Sequence, residues 1–474
     1  MAATAMPRAA TAGTGLTPEA NRGIWVLLVA AFIATLNETT MGVAIPHLIG
    51  DLGITALTAQ WLTTAFMLTM AVIIPITGFL IRRFTTRAMF IAAMSMFSLG
   101  TLVGLLAPGF PVLLVGRVIQ ASGTAIMMPL LMTTLMTVVP AHARGRMMGR
   151  VAVVISLAPA LGPALSGLIL DTLGWRWIFG VVLPIALLVL LVGARWVRNH
   201  GERTRAPIDP LSVVLSAFGF GGLVYGLSQI GGAANRGTSA ADAAAATTAT
   251  VSLCVALGIG GLALGLFLWR QVVLQREDRA LLDLRVFRSG NFSLAIVQMG
   301  VLCMAFFGVF TVLPLYMQGV LGASPLETGL VMLPGPLLMC ALGPLVGRIY
   351  DTHGTRVLLI PGTILAVGTM WFHTTFTATT SLWVIVGSQL VLCLGLALSF
   401  TPLYTTALAS LSPKLYSYGS AVVGTTQQVS GAAGIAVLIT VMPAITAEGT
   451  RTAFVLAAIM STPLLVGAVL IRKP

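Results

Sequence analysis

Apolar residues run along this chain in long blocks, interrupted at short intervals by clusters of arginine, glycine and proline. A helix that crosses a hydrocarbon layer ~30 Å thick needs about 20 predominantly apolar residues. Fourteen blocks meet that length, at 23–46, 58–81, 88–107, 112–138, 147–170, 178–197, 208–230, 249–270, 291–318, 326–347, 357–376, 382–408, 416–443 and 452–471. They predict an all-α membrane protein with fourteen spans. The stretch before the first block, residues 1–22, is polar and rich in Ala and Thr, and is expected to be a disordered tail. The first block is too long for a signal peptide and is followed by no small-residue cleavage site, so it is expected to stay as a helix. The connection from Gly231 to Thr248 is also Ala/Thr-rich and is expected to be a flexible loop.

Loop charge tests the count. Basic residues collect in cytoplasmic loops. With the N-terminus inside and the loops alternating, only Arg176, Arg236 and Arg451 of the 26 Lys and Arg residues fall outside. Arg117 lies within a span, and the other basic residues fall on the cytoplasmic side. Removing one span would invert every later loop and destroy this split, so both termini are expected to be cytoplasmic.

Composition agrees. The chain is 57% hydrophobic and 8% charged, against about 25% charged in a soluble domain. Mean hydropathy is +0.99. The net charge of +13 would suggest nucleic acid in a soluble protein. Here the charge is loop arginine, so no nucleic-acid partner is expected, and lipid surrounds the chain. The only lysines, Lys414 and Lys473, follow Pro413 and Arg472, so no phosphate-binding Gly-Lys-Ser/Thr loop exists. Cys254, Cys303, Cys340 and Cys393 sit in apolar blocks and read as small core residues, and the five histidines offer no close metal-ligand pair.

The chain also repeats. Gly78 to Arg87 after the second span and Gly347 to Arg356 after the tenth both read as Gly, a short basic turn, then Arg before the next span. If spans seven and eight are an insertion, each copy falls between the second and third helices of a six-helix half. This is the parallel-repeat plan of a rocker-switch transporter. The domains are then a tail (1–22), an N-terminal six-helix bundle (23–207), two inserted helices with a linker (208–290) and a C-terminal six-helix bundle (291–474).

Four segments carry a family resemblance. The first span has Leu36-Asn37-Glu38-Thr39-Thr40, running on to Pro46. The fourth has Arg117-Val118-Ile119-Gln120-Ala121-Ser122-Gly123. The fifth has Gly162-Pro163-Ala164-Leu165-Ser166-Gly167, and Trp175-Arg176-Trp177 precedes the sixth. In this order the chain resembles the fourteen-spanner drug:proton antiporters of the major facilitator superfamily. The resemblance covers nearly all of residues 23–474. It implies a fold of two six-helix bundles plus two extra central helices, and a monomer in the bacterial cytoplasmic membrane. It also implies no cofactor, a proton gradient as energy source, and small drug-like substrates. Asn37 stands where the first-span pattern usually has Asp, and Arg82 where the first inner loop usually has Asp, although Asp351 keeps it in the second copy.

Glu38 is the one acidic residue well inside an expected span. A charge there costs roughly 2.5–3.5 kcal/mol on insertion scales, so such residues usually face a cavity and often move protons. The competing reading is a helix-end Glu reaching the outer interface. By rise per residue, Glu38 and Arg117 lie at similar depths, roughly 8–9 Å from the outer face. Arg117 could hold Glu38 charged, or the two could be a structural ion pair. The expected substrate cavity takes in Asn37, Gln120, Met67, Phe306, Phe310, Gln389 and Gln428, although packing is the readier account of the glutamine amides within spans, and a place against core or lipid that of the methionine and aromatics. Ala158, Gly162 and Ser166 recur every four residues, which lets helices approach closely. The resemblance makes Pro159, Gly162, Pro163 and Gly167 the antiporter motif that limits proton leak. It makes Gly78, Arg83, Arg87, Gly347, Asp351 and Arg356 a cytoplasmic latch, whereas the basic residues also satisfy topology alone.

The expected activity is proton-coupled export of drug-like molecules by alternating access. A dedicated exporter of one endogenous metabolite or self-made antibiotic shares every motif. A non-transporting receptor or scaffold would tolerate loss of Glu38 and Arg117. The loops hold no nucleophile–base pair or metal cluster, which argues against an enzyme.

Overall fold

The computed structural model describes residues 17–199, 209–233, 240–442 and 446–471. The described residues are helical throughout, joined by short turns, with no strand among them. The helices are α1 (Pro18–Leu52), α2 (Ala56–Arg83), α3 (Thr86–Leu105), α4 (Phe110–Val138), α5 (Arg144–Leu173) and α6 (Arg176–Trp196). They continue with α7 (Pro210–Ala233), α8 (Ala240–Leu274), α9 (Gly290–Gly319), α10 (Pro325–Met332), α11 (Pro334–His353) and α12 (Arg356–His373). The last are α13 (Leu382–Ala409), α14 (Tyr416–Val441), α15 (Ala447–Ser461) and α16 (Pro463–Leu470).

Fourteen spans long and apolar enough to cross a membrane result, as the apolar blocks predict. Prolines explain why sixteen helices make fourteen spans. Pro334 and Pro463 each open a new helix within one apolar stretch, because proline removes a backbone donor and clashes with the preceding turn. Several starts are set by hydroxyls. Thr17, Thr55, Thr85 and Ser289 accept from the amides of Ala20, Thr58, Ala88 and Phe292, satisfying donors that the first turn leaves orphaned. Ser324 and Glu327 cap α10 reciprocally.

Two expected loops are partly helix. α1 begins at Pro18, inside the polar stretch expected to be disordered, because Thr17 caps it. α8 begins at Ala240, inside the connection expected to be a flexible loop, since alanine is the best helix former. Residues 1–16, 200–208 and 234–239, with Arg8, Arg203, Arg205 and Arg236, lie outside the described residues, as do Arg472 and Lys473.

α1–α6 pack on one another, chiefly α3 on α4, α2 on α4, α1 on α5 and α3 on α6. α9–α16 form a second group, with α9 on α14 and α12 and α11 on α13. The groups meet along two seams, α5 with α11 and α2 with α14. These are equivalent places in the repeat. At the first seam, Gly145 faces Gly347 and Gly149 faces Gly343, backbone against backbone, with no room for a Cβ. α7 lies along the second seam, against both α2 and α14, and α8 packs on α7. In the most apolar part of each span, 17% is buried for Thr250–Glu277 and 78% for Phe110–Val138, so among the described spans α8 is the most exposed and α4 the most enclosed.

Candidate functional site

Successive residues of a helix project about 100° apart. Asn37 and Glu38 therefore face different neighbours, although adjacent in sequence. Asn37 turns into the N-terminal group, where its Oδ1 accepts from Arg117 Nη1 at 3.0 Å. The same nitrogen donates to Gln120 Oε1 at 2.6 Å, and Gln120 Nε2 donates to Thr101 Oγ1 at 2.7 Å. The Arg117 guanidinium also stands 4.2 Å from the centre of the Phe66 ring. All of Asn37, Arg117, Gln120 and Thr101 are fully buried. A buried cation is tolerable only when paired or richly hydrogen-bonded. Asn37 and Gln120 thus serve Arg117 and are not exposed to a substrate cavity.

Glu38 turns the other way. It lines a cavity of about 90 Å³ between the two helix groups, together with Ala31, Ala34 and Thr35 from α1. Met70 and Ile74 come from α2, and Thr124, Ala125, Met127, Met128 and Pro129 from α4. Tyr404 comes from α13, and Ser420, Gly424 and Gln427 from α14. Glu38 and Arg117 do not form a contact ion pair, and no described residue hydrogen-bonds the Glu38 carboxylate. The structural ion pair that the sequence left open as the alternative is therefore not formed. Arg117 is bonded to amides, and its charge acts on Glu38 through space.

Other expected cavity residues stand elsewhere. Met67 lies one turn before Met70 on α2, outside the cavity lining. Phe306 and Phe310 form an aromatic group with Phe307 and Phe400 on α9 and α13. Gln389 is buried, and both of its amide atoms lack a hydrogen-bond partner. Gln428 lies 3.7 Å from the Met70 sulfur, and its neighbour Gln427 lines the cavity instead. Sequence reasoning missed Thr35, Thr124, Tyr404 and Ser420. Helical phase was the available signal: 31, 34, 35 and 38 share one face of α1, and 420, 424 and 427 share one face of α14.

The small-residue stripe of α5 packs on α1 beside Glu38. A Cβ at Gly162 would overlap the Thr39 hydroxyl, and Ser166 Oγ donates to the Thr40 carbonyl at 2.8 Å. Gly167 has open space beside it and lies off this contact. α5 continues as one helix through Pro159 and Pro163, and the Pro163 side chain lies outside the described residues.

Of the expected latch residues, three cross between the groups. Asp351 accepts from the backbone amides of Gly145 (2.6 Å) and Arg146 (2.8 Å) at the start of α5. A carboxylate there satisfies orphan donors and meets the positive end of the helix dipole. Gly347 lies one turn earlier, against Gly145. Gly78 packs on Tyr418 at the start of α14. Arg87 and Arg356 do not cross: the Arg87 amide donates to Asn199, and Arg356 Nε donates to the Ile471 carbonyl, each within its own group. Arg82, the neighbour of Arg83, crosses the seam, donating to Tyr418 Oη at 3.3 Å.

A membrane-embedded bundle with two repeated helix groups, and a lone carboxylate in the cavity between them, defines a multi-pass membrane transporter. Residues 27–435 match the Major Facilitator Superfamily, and the chain belongs to that family. It is 38% identical over 417 residues to the lincomycin resistance protein LmrB of Listeria monocytogenes, covering 88% of this chain and 85% of that one. It is 34% identical over 418 residues to LmrB of Bacillus subtilis, covering 88% and 84%. It is 29% identical over 416 residues to a multidrug resistance protein B homolog of Mycobacterium tuberculosis, covering 87% and 74%. The crystal structure of the human organic anion transporter MFSD10 (TETRAN) has the same fold, with a TM-score of 0.67 at 14% identity, covering 96% of this chain and 100% of that one.

Proposed function

We propose that this protein exports drug-like molecules across the bacterial cytoplasmic membrane in exchange for protons, by alternating access, with both termini cytoplasmic. The observation that carries the reading is Glu38. Its carboxylate faces the cavity between the helix groups with no hydrogen-bond partner among the described residues, and a buried cation, Arg117, is bonded to the adjacent Asn37. A carboxylate held in this way can exchange a proton with the cavity while Arg117 keeps the ionised form tolerable. The names of the relatives support a drug as cargo.

The cavity volume describes the state. About 90 Å³ holds a few waters, whereas sites for drug-sized ligands run to ~300–1,000 Å³. Loading therefore requires the helix groups to separate. The contacts at Asp351 and Tyr418 lie at the arginine-bearing end, which faces the cytoplasm in this reading. That end is closed here.

The test is drug-driven proton flux in everted vesicles, comparing the native chain with Glu38→Gln. A lipophilic drug collapses the pH gradient with the native chain and leaves it intact with the variant. Equal collapse in both would route the proton elsewhere. No response to any drug in a broad panel would replace this reading with an exporter dedicated to one metabolite.

A further inference from the structure

Among the described residues, the α7–α8 pair contributes none to the Glu38 cavity, yet its arginine-bearing end is tightly built. Arg270 on α8 binds Asp209, just before α7, with two hydrogen bonds of 2.6 and 2.8 Å. Asp209 also accepts from the Ser212 hydroxyl at 2.5 Å, and Gln271 Nε2 donates to that hydroxyl at 2.9 Å. Gln271 is fully buried. Its Oε1 accepts from the amides of Leu281 (2.8 Å) and Leu282 (3.2 Å), which pins the 275–289 linker to the end of α8. Leu281, Leu282 and Val286 are buried beneath that linker. Asp278 turns the chain back with φ 54°, and Arg285 ties it to Asp283.

The pinned linker presents the Ala280 carbonyl to Tyr418. The Tyr418 hydroxyl donates to that carbonyl at 3.2 Å and accepts from Arg82 Nη1 at 3.3 Å. Arg82 also stacks on the Tyr418 ring, 5.2 Å from its centre. One buried phenol thus joins α2, α14 and the inserted pair. The contrast with the other seam explains the need. There Asp351 accepts directly from the first turn of α5. At the equivalent place on α2 the chain has Arg82, which carries no acceptor.

We propose that the inserted pair is a clamp that holds the arginine-bearing end closed, with Gln271 fixing the linker and Tyr418 as the residue it grips. α7 bridges α2 and α14 along the seam through Val224, which packs with Ala71 and Ala432. The linker supplies the fixed acceptor that the Arg82 side cannot. Opening that end carries α14 away from α2, so Tyr418 must give up Arg82 or Ala280. Gln271 and Tyr418 position the halves and touch no substrate.

The experiment uses the full chain in lipid nanodiscs, without drug, with its cysteines replaced and spin labels at Ala88→Cys and Ser412→Cys, two exposed positions on opposite sides of the seam. Tyr418→Phe keeps the ring and removes the hydroxyl. The long-distance, open population then rises about fivefold, as expected for losing one hydrogen bond of ordinary net strength. Gln271→Ala releases the linker and shifts the population in the same direction. A native distance distribution in Tyr418→Phe, in protein that elutes as the native chain does, overturns the proposal. So does a lowered melting temperature with unchanged distances, which would make Tyr418 a packing residue only. If Gln271→Ala fails to insert, Tyr418→Phe decides alone. Because no drug is present, the result is independent of the export reading.

Discussion

Arg117 and Glu38 illustrate how one residue of helical phase separates two roles. Asn37 occupies the position where the resembled pattern usually has an acid, and it is spent as an acceptor for Arg117. The acid has moved to the adjacent position, 100° around the helix, where it reaches the cavity. Arg117 is therefore a buried cation with neutral partners, and its charge is not cancelled by contact with Glu38. The neighbouring α1–α5 contact yields a prediction at this scale. Gly162→Val forces a branched side chain into the Thr39 hydroxyl and costs about 1–3 kcal/mol, as overpacking does. It lowers the melting temperature in detergent, and Thr39→Gly in the same chain restores part of the loss. Equal destabilisation with and without Thr39→Gly would place the strain elsewhere.

At the scale of elements, the two seams use different chemistry for one task. α11 offers a carboxylate to the amides of α5, and α2 offers an arginine to a tyrosine of α14. The inserted hairpin depends on a charged pair of its own. Asp209 lies outside the spans, and hydrogen bonds from Arg270 and Ser212 hold its carboxyl below the ordinary 3.8, at about 2. A depressed carboxyl contributes stability that is fully present above the ordinary value and is lost as pH falls through about 2. Asp209→Asn therefore lowers the melting temperature at neutral pH, and the gap from the native chain narrows on acidification below about pH 4. Thermal unfolding at a series of pH values measures it, and a gap that stays constant into acid would remove Asp209 ionisation as the cause.

At the scale of the whole molecule, the exchange proposed at Glu38 would set what the proton gradient can drive. A proton entering across ~150 mV releases about 3.5 kcal/mol, and a pH step of ~0.5 adds about 0.7. Together these sustain roughly a thousandfold gradient of a neutral drug exchanged for one proton. A monovalent cation exchanged for one proton moves no net charge and feels the pH step alone, and a dication works against the potential. Collapsing the membrane potential at constant pH gradient in intact vesicles is thus expected to slow export of neutral drugs and leave that of monovalent cations nearly unchanged. Dication export as strongly driven by the potential as neutral export would rule out a single acid with one proton.

The sequence by itself determined the fourteen spans, the clustering of arginine between them, the repeated Gly-to-Arg segments and the singular position of Glu38. Each of these depends on local physics: a span must be apolar over its own length, arginine stays out of the lipid, and a mid-span carboxylate is conspicuous wherever the helix packs. The side from which each residue is reached was decided only by tertiary structure. Gln427 lines the cavity and Gln428 does not, Asn37 serves Arg117 while Glu38 is left open, and Arg87 and Arg356 stay within their own helix groups. The place of α7 along the α2–α14 seam, and the reach of Ala280 to Tyr418, were equally invisible. These contacts join residues 80 or more positions apart. In a chain whose helices are apolar on nearly every face, hydropathy marks what enters the membrane and carries little record of which face meets which neighbour.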